Sequence, residues 1–181
     1  MGNDFQAARL ASGLDVRAIA AVARNRVIGR DGQLPWNLPE DRQYLEDCVR
    51  GGIVIEGRRC YESRGKAFPG AERTVVLSSR EDWSPEDASV CSSLEDAYQL
   101  LQGETRPVWI LGGERLYHES LTHWRRLFLT LIHEDFEGDT LFPDWKQRFV
   151  KQIRRNDSHQ GDLRYSFLVL APVEDEKECA P

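Results

Sequence analysis

The sequence contains no long apolar stretch, no cluster of basic residues and no closely spaced cysteine pair. No window approaches the length of a membrane span, and residues 1–16 lack the apolar core of a signal peptide. The net charge of -6 and the pI of about 5.3 argue against a nucleic-acid-binding surface. Free thiols in a reducing cytoplasm best explain the four cysteines, which are Cys48, Cys60, Cys91 and Cys179.

Several catalytic and cofactor motifs are also missing. The four histidines are scattered, and only His118 and His123 lie near each other, so we expect no metal site. No Ser/His/Asp order and no reactive cysteine context supports nucleophilic catalysis. The absence of a Gly-x-Gly-x-x-Gly pattern means that a Rossmann dinucleotide unit is not indicated.

The composition is that of one soluble globular domain. The chain has 181 residues, of which 40% are hydrophobic and 30% are charged. We expect a flexible N-terminal extension over residues 1–15, one folded domain over 16–173 and a flexible tail over 174–181. A monomer in the cytoplasm is expected.

Short apolar runs alternate with helical segments along most of the chain. This pattern predicts an α/β fold with a mostly parallel central sheet, flanking helices and a C-terminal antiparallel hairpin. The predicted strands cover residues 17–23, 27–29, 53–55, 74–79, 108–111 and 126–132, with the hairpin at about 148–155 and 164–171. The predicted helices cover about 39–50, 57–63, 93–101 and 114–121.

One loop leads directly into a helix that begins with acidic residues. After the strand that ends at Gly29, Trp36 lies between two prolines, and such a residue is costly to expose. Pro39 suits a first helical turn, and acids in that turn suit the helix dipole. Two interpretations of Asp41 remain open. It is a solvated first-turn acid, or it is a carboxylate that points into a cleft under the Trp36 loop.

Two strand–glycine–helix junctions, at residues 55–59 and 111–115, carry arginines beside them. A helix N-terminus with a glycine turn offers free N–H groups to a phosphate, so the pair fits a pyrophosphate. A third strand ends in Ser78-Ser79-Arg80, which suits one more phosphate. The alternative interpretation is that each junction is only a turn in which glycine ends the strand.

The order and spacing of these motifs resemble the dihydrofolate reductase family, from about Ala18 to Leu170. This resemblance implies the fold of that family and NADPH-dependent hydride transfer to a C=N bond. The matching segments are residues 19–21, 27–29, Leu34-Pro35-Trp36-Asn37-Leu38-Pro39-Glu40-Asp41, 57–58, 62–63, 68–70, 76–79, 112–113 with Tyr117, and Glu137-Gly138-Asp139-Thr140-Leu141-Phe142-Pro143.

The resemblance also implies roles for individual residues. Asp41 would hold the pterin ring with the support of Thr130, and the loop with Trp36 would close over the nicotinamide. The backbone at Ala21 and Ile28 would meet the carboxamide. The remaining residues implied in NADPH binding are Gly57, Arg58, Arg59, Cys60, Leu77, Ser78, Ser79, Arg80, Gly112, Gly113, Glu114, Arg115, Leu116 and Tyr117.

The implied substrate pocket departs from the family pattern. The arginine that pairs with the glutamate carboxylate of folate is replaced by Ala71, and an aromatic residue that packs on the pterin and benzoyl rings is replaced by Leu45. Charges occupy three apolar positions, as Arg42, Glu56 and Arg64, and unpaired charges there are expensive. The predicted pocket residues are Arg42, Leu45, Ser63, Arg64, Phe68 and Ile110.

These departures lead to a main hypothesis and two alternatives. The main hypothesis is reduction of a non-folate iminium, or of a hemiaminal through its iminium, in natural-product tailoring, detoxification or antibiotic self-resistance. The first alternative is an authentic dihydrofolate reductase in which Arg42, Arg64 or Arg73 binds the glutamate carboxylate. The second is an NADPH-binding protein without catalysis. The presence of Asp41, Trp36 and Thr130 argues against it, because NADPH binding alone would not need the acid.

Overall fold

An eight-stranded sheet runs through the molecule, with the strand order β5-β4-β3-β6-β1-β7-β10-β9. The structure, a computed structural model, describes residues 2–173. Its elements are α1 (Gly2–Ala11), β1 (Val16–Ala23), β2 (Val27–Gly29), α2 (Pro39–Val49), β3 (Ile53–Gly57), α3 (Arg58–Arg64), β4 (Arg73–Leu77), β5 (Ser89–Cys91), α4 (Leu94–Leu100), β6 (Val108–Ile110), α5 (Glu114–Ser120), a 3-10 turn (Leu121–His123), β7 (Arg126–Ile132), β8 (Thr140–Leu141), β9 (Lys151–Gln160) and β10 (Leu163–Ala171).

Strand direction in this sheet confirms the predicted fold class. The strands from β5 to β7 in the order above are mutually parallel, whereas β10 is antiparallel to both β7 and β9. Parallel strands buried on both faces are continuously apolar, and β1 has that character. The carboxyl ends of β1, β3, β4, β6 and β7 therefore lie at one edge of the sheet.

The two faces of the sheet bury different side chains, because successive residues of a strand point in opposite directions. On one face, Ala18 joins the large core beneath α1, α4 and α5. On the other face, the next residue, Ile19, packs with Val49 of α2 and with Phe68 and Trp109. Helix α2 therefore covers the second face.

The N-terminal segment differs from the expected flexible extension over residues 1–15. Residues 2–11 form α1, and Ala7 and Ala11 are buried one helical turn apart against the core. The amide of Gln102 donates to the Leu10 carbonyl oxygen at 3.1 Å, which ties α1 to the end of α4. Alanines four residues apart make one face of a helix that packs closely. The expected tail at 174–181 lies outside the described residues.

A small two-stranded sheet fixes the beginning of the Trp36 loop, which we define as residues 30–38. It pairs β2 with β8, in a segment predicted only as an irregular loop. The Asp139 carboxylate accepts a bond from the Asp31 N–H at 3.1 Å, and the Asp139 N–H donates to the Gly29 carbonyl oxygen at 3.1 Å. A Cβ at Gly138 would lie 2.4 Å from that same oxygen, so this close approach requires glycine.

A buried ion pair joins the end of β3 to the end of α3. The side chain of Glu56 is 1% exposed, and both of its oxygens accept bonds from the Arg64 guanidinium. The Arg64 Nε donates to the Lys66 carbonyl oxygen at 3.0 Å, and the guanidinium lies over the Phe68 ring, 4.9 Å from its centre. Burial raises the pKa of Glu56, and the bonds from Arg64 oppose that rise. Of the three charged residues at expected apolar positions, Glu56 and Arg64 therefore compensate each other.

We predict that Arg64→Met destabilises the protein by about 3–5 kcal/mol, because it leaves Glu56 buried without its partner. Combining it with Glu56→Met removes the uncompensated charge and restores most of the lost stability. Urea unfolding of the two variants measures both effects. The control is Arg115→Met, which breaks the exposed pair with Glu119 and should cost less than about 1 kcal/mol. Equal costs for Arg64→Met and Arg115→Met would contradict the prediction.

Candidate active site

The first turn of α2 is attached to the C-terminal hairpin by Glu40. One oxygen of its carboxylate accepts a bond from the buried Tyr165 hydroxyl at 2.5 Å and another from Ser158 at 2.7 Å. These bonds, with Tyr165 contributing most, lower the pKa of Glu40. The Gln160 amide also donates to the Asn37 carbonyl oxygen at 3.0 Å. The sequence did not predict this attachment, which fixes the position of the next residue, Asp41.

Asp41, in the first turn of α2, is half-buried. Burial raises its pKa above the ordinary value, while a hydrogen bond from the Thr130 hydroxyl and the nearby charge of Arg42 oppose the rise. Thr130 is 1% exposed and lies on β7 between Ala21 of β1 and Phe167 of β10. Of the two interpretations of Asp41, the structure therefore favours the one in which it faces a cleft. A carboxyl with a raised pKa holds a proton more readily than an ordinary aspartate and can take part in proton transfer.

Trp36 lies beside this carboxyl-bearing helix and is 8% exposed. Its ring packs edge-on against Phe136, with 5.1 Å between the ring centres, and in one cluster with Leu38 and Phe167. Within residues 2–173, the buried indole N–H has no hydrogen-bond acceptor. Because buried donors are normally paired, this N–H is available to a bound molecule or to water.

The two glycine junctions lie side by side at the carboxyl edge of the sheet. The N–H of Gly57 donates to the Gly112 carbonyl oxygen at 2.7 Å, and a Cβ on Gly57 would lie 3.5 Å from the Gly113 nitrogen. Neither Gly57 nor Gly113 offers a side chain to cap its helix. The first N–H groups of α3 and α5 therefore lack partners within their helices and can bind an anion.

Polar side chains surround these junctions. Arg58 pairs with Glu62 at 2.6 Å, and Glu114 accepts a long bond of 3.3 Å from the Leu141 N–H. Burial and the nearby Glu56 carboxylate raise the pKa of Cys60 to about 11, so its side chain is a neutral thiol. At the next strand end, the Ser78 hydroxyl accepts from the Arg80 N–H at 3.1 Å, after the half-buried Leu77. The exposed residues of the predicted cofactor set are Arg59, Ser79, Arg80 and Arg115.

Three predicted site residues point into the core instead. Leu116 and Tyr117 are buried on the inner face of α5, and the Tyr117 hydroxyl donates to the Ile19 carbonyl oxygen at 2.7 Å. Ile110 is fully buried in the core opposite α2. The next residue, Leu111, packs in the cluster beneath α2, so strand alternation assigns the pocket position to Leu111.

The remaining predicted pocket residues lie around α2 and the end of α3. Leu45 and Phe68 belong to the apolar cluster beneath α2. Arg42 is exposed and donates to the Asn37 side chain, while the Ser63 hydroxyl donates to the Cys60 carbonyl oxygen at 2.8 Å within its own helix.

The described residues contain no group of three or more His, Cys, Asp and Glu side chains suited to a metal ion. Across that same part of the chain, no helix is both long enough and apolar enough to cross a membrane.

Comparison with known proteins identifies close relatives of this arrangement. The family model for dihydrofolate reductase matches residues 15–171. The chain is 38% identical to dihydrofolate reductase type 3 of Salmonella typhimurium over 152 residues, which is 84% of this chain and 92% of the relative. It is 34% identical to dihydrofolate reductase of Bacillus subtilis over 164 residues, covering 88% and 95% of the two chains.

A solved structure of dihydrofolate reductase from Enterococcus faecalis, complexed with NADP(H) and RAB-propyl, has a TM-score of 0.79 to this chain. The two are 28% identical, and the match covers 88% of this chain and 96% of the other. The backbone arrangement described above is therefore shared across nearly the whole length.

These findings correct the main functional hypothesis. The reported relatives carry the name dihydrofolate reductase, so the hypothesis of a non-folate iminium or hemiaminal substrate is wrong, and the tailoring and resistance roles lose their basis. Part of the error came from treating Glu56 and Arg64, together with Ala71, Leu45 and Arg42, as evidence of a rebuilt pocket, whereas Glu56 and Arg64 neutralise each other. The chain belongs to the dihydrofolate reductase family.

Proposed function

We propose that this protein reduces 7,8-dihydrofolate to tetrahydrofolate with NADPH. The observation that carries the proposal is the half-buried Asp41 carboxyl in the first turn of α2, which the buried Thr130 hydroxyl hydrogen-bonds and whose pKa burial raises. A protein that only bound a dinucleotide would gain nothing from burying an acid at that cost. The names of the relatives support the same reaction.

The residues present fit an extended dinucleotide phosphate. The paired glycine junctions lie side by side, joined by the bond from the Gly57 N–H to the Gly112 carbonyl oxygen, and offer free backbone donors for the pyrophosphate. The exposed Arg59, Ser79 and Arg80 suit the additional phosphate of NADPH. The backbone at Ala21 and Ile28 would hold the carboxamide. When bound, NADPH supplies the hydride that the carbon of the C=N bond accepts.

Asp41 and its neighbours supply the rest of the chemistry. The carboxylate orients the pterin ring by accepting from its N3–H and 2-amino group, and Thr130 fixes the carboxylate itself. Because reduction also requires a proton on the nitrogen of the C=N bond, a cationic pterin beside Asp41 is the reactive form. Asp41 and the pterin ring thus share one proton, and burial of the pair favours its retention.

Water is kept from the reacting bond by the Trp36 loop. The indole of Trp36 and the ring of Phe136 close one side, and the bonds of Asp139 hold the start of the loop in place. Exclusion of water strengthens the charge interaction at Asp41 and protects the cationic ring. The location in the cytoplasm and the monomeric state stay predictions.

The activity is tested by following NADPH oxidation at 340 nm with 7,8-dihydrofolate and identifying tetrahydrofolate as the product. We expect kcat/KM within the ordinary range for enzymes, about 10⁴–10⁸ M⁻¹s⁻¹. NADPH binding without any turnover would contradict the proposed function and would favour the alternative of a binding protein.

Replacement of the buried acid separates catalysis from cofactor binding. We predict that Asp41→Asn lowers turnover by about 10²–10⁴-fold, the usual contribution of a positioned acid–base group, because the amide cannot share the proton. NADPH affinity, measured by quenching of tryptophan fluorescence, should stay near the wild-type value. Glu40→Gln is the matched control, since it changes the adjacent acid but retains an acceptor for Tyr165. An equal loss in both variants would remove Asp41 from the proposed mechanism.

The cofactor preference follows from the cationic end of the dinucleotide site. We predict that NADPH binds at least tenfold more tightly than NADH, because its extra phosphate meets charge-assisted donors at Arg59 and Arg80. Dissociation constants from the same fluorescence measurement decide this. Equal affinities for the two nucleotides would show that these side chains do not bind the phosphate.

A further inference from the structure

Dihydrofolate carries two carboxylates on its glutamate tail, and the structure excludes most candidate partners for them. Position 71 is an alanine. Arg64 is committed to Glu56 and the Lys66 carbonyl oxygen. Arg73 bonds Ser89 through Nε at 3.2 Å and Nη2 at 3.0 Å. The next residue of that strand, Thr74, accepts from the Phe68 N–H beneath α2, so Arg73 faces away from the cleft.

Another arginine, which sequence analysis missed, lies at the far end of the same cleft. Arg50 directly follows α2 and is nine residues beyond Asp41, about 13.5 Å along a helix axis. That distance is comparable with the length of a pteroyl group from its 2-amino end to the glutamate. The apolar floor between the two ends is made by Leu45, Phe68 and Ala71.

The side chain of Arg50 lies against the turn that carries Ala71. A Cβ at Gly70 would lie 3.9 Å from the Arg50 Nη1 and 4.0 Å from its Cγ. The backbones are joined as well, since the Gly51 N–H donates to the Gly70 carbonyl oxygen at 2.8 Å. The exposed guanidinium is thus held beside the turn that carries Ala71, at the C-terminal end of α2.

Arg50 can also exchange its present partner at little cost. It pairs with Asp47 at 3.1 Å, and the two side chains are 64% and 58% exposed. An exposed pair three residues apart is worth little, whereas a planar guanidinium binds a carboxylate with two parallel bonds. Resting on the proposed function, we infer that Arg50 binds the glutamate carboxylate of dihydrofolate and replaces the cation that Ala71 cannot supply.

The test compares substrates with and without the tail. With Arg50→Met, KM for 7,8-dihydrofolate should rise about tenfold to a hundredfold, the value of a charge-assisted bond, with kcat unchanged. KM for 6-methyl-7,8-dihydropterin, which lacks the glutamate, should not change. Arg50→Lys keeps the positive charge but cannot form two parallel bonds with a carboxylate. Its KM for 7,8-dihydrofolate should lie between the values of the wild type and of Arg50→Met. Arg106→Met, at an exposed arginine paired with Glu104, is the matched control and should leave both KM values unchanged.

A binding measurement gives a second readout without turnover. Fluorescence titration should show weaker folate binding by Arg50→Met, equal binding of 6-methylpterin, and recovery of folate binding when Ala71→Arg is added. If Arg50→Met leaves the folate affinity unchanged, or weakens both ligands equally, the inference is wrong while the proposed function stands. If the wild-type protein reduces neither dihydrofolate nor the dihydropterin, the proposed function fails and the inference fails with it.

Discussion

The structure depends on one costly feature, a carboxyl group buried at the start of α2. An isolated buried carboxylate is unfavourable, and its raised pKa reflects that cost. The fold limits the cost by giving Asp41 the Thr130 hydroxyl and by fixing the helix through the adjacent Glu40. Two neighbouring acids thus have opposite tasks. Glu40, with its lowered pKa, attaches the helix to the hairpin, and Asp41 faces the cleft.

The same principle explains why charges occur at apolar positions of the pocket wall. Glu56 and Arg64 lie at the ends of consecutive elements, and the turn between β3 and α3 brings them together. Their pairing leaves the cleft beneath α2 apolar, with Leu45 and Phe68 as its floor. Charged residues at two apolar positions of the pocket wall are therefore compatible with the substrate of the family, because the two charges neutralise each other. The glutamate carboxylate of dihydrofolate is the one group that needs a partner at a new position, and Arg50 is the residue we propose for it.

The sequence was sufficient for the central parallel strands, because most of their residues are apolar. It was insufficient for α1, because the residues that this helix buries are small alanines within a segment of mixed, largely polar composition. It was also insufficient for β5, which is only three residues long. A one-residue error at the end of β6 assigned Ile110 to the pocket in place of Leu111. The contact of Arg50 with Gly70 joins segments 20 residues apart, and local patterns carry no information about it.

We propose that catalysis depends on one proton shared between Asp41 and the bound pterin ring. This proposal is tested most directly by mixing the NADPH complex rapidly with dihydrofolate and measuring the hydride-transfer rate in a single turnover at about pH 5 to 9. Because burial raises the pKa of Asp41, the proton stays on the pair at low pH and is lost as the pH rises. We expect a rate that falls with increasing pH, with a midpoint above the pKa of an ordinary aspartate. A rate that is constant over this range, or that rises with pH, would contradict it.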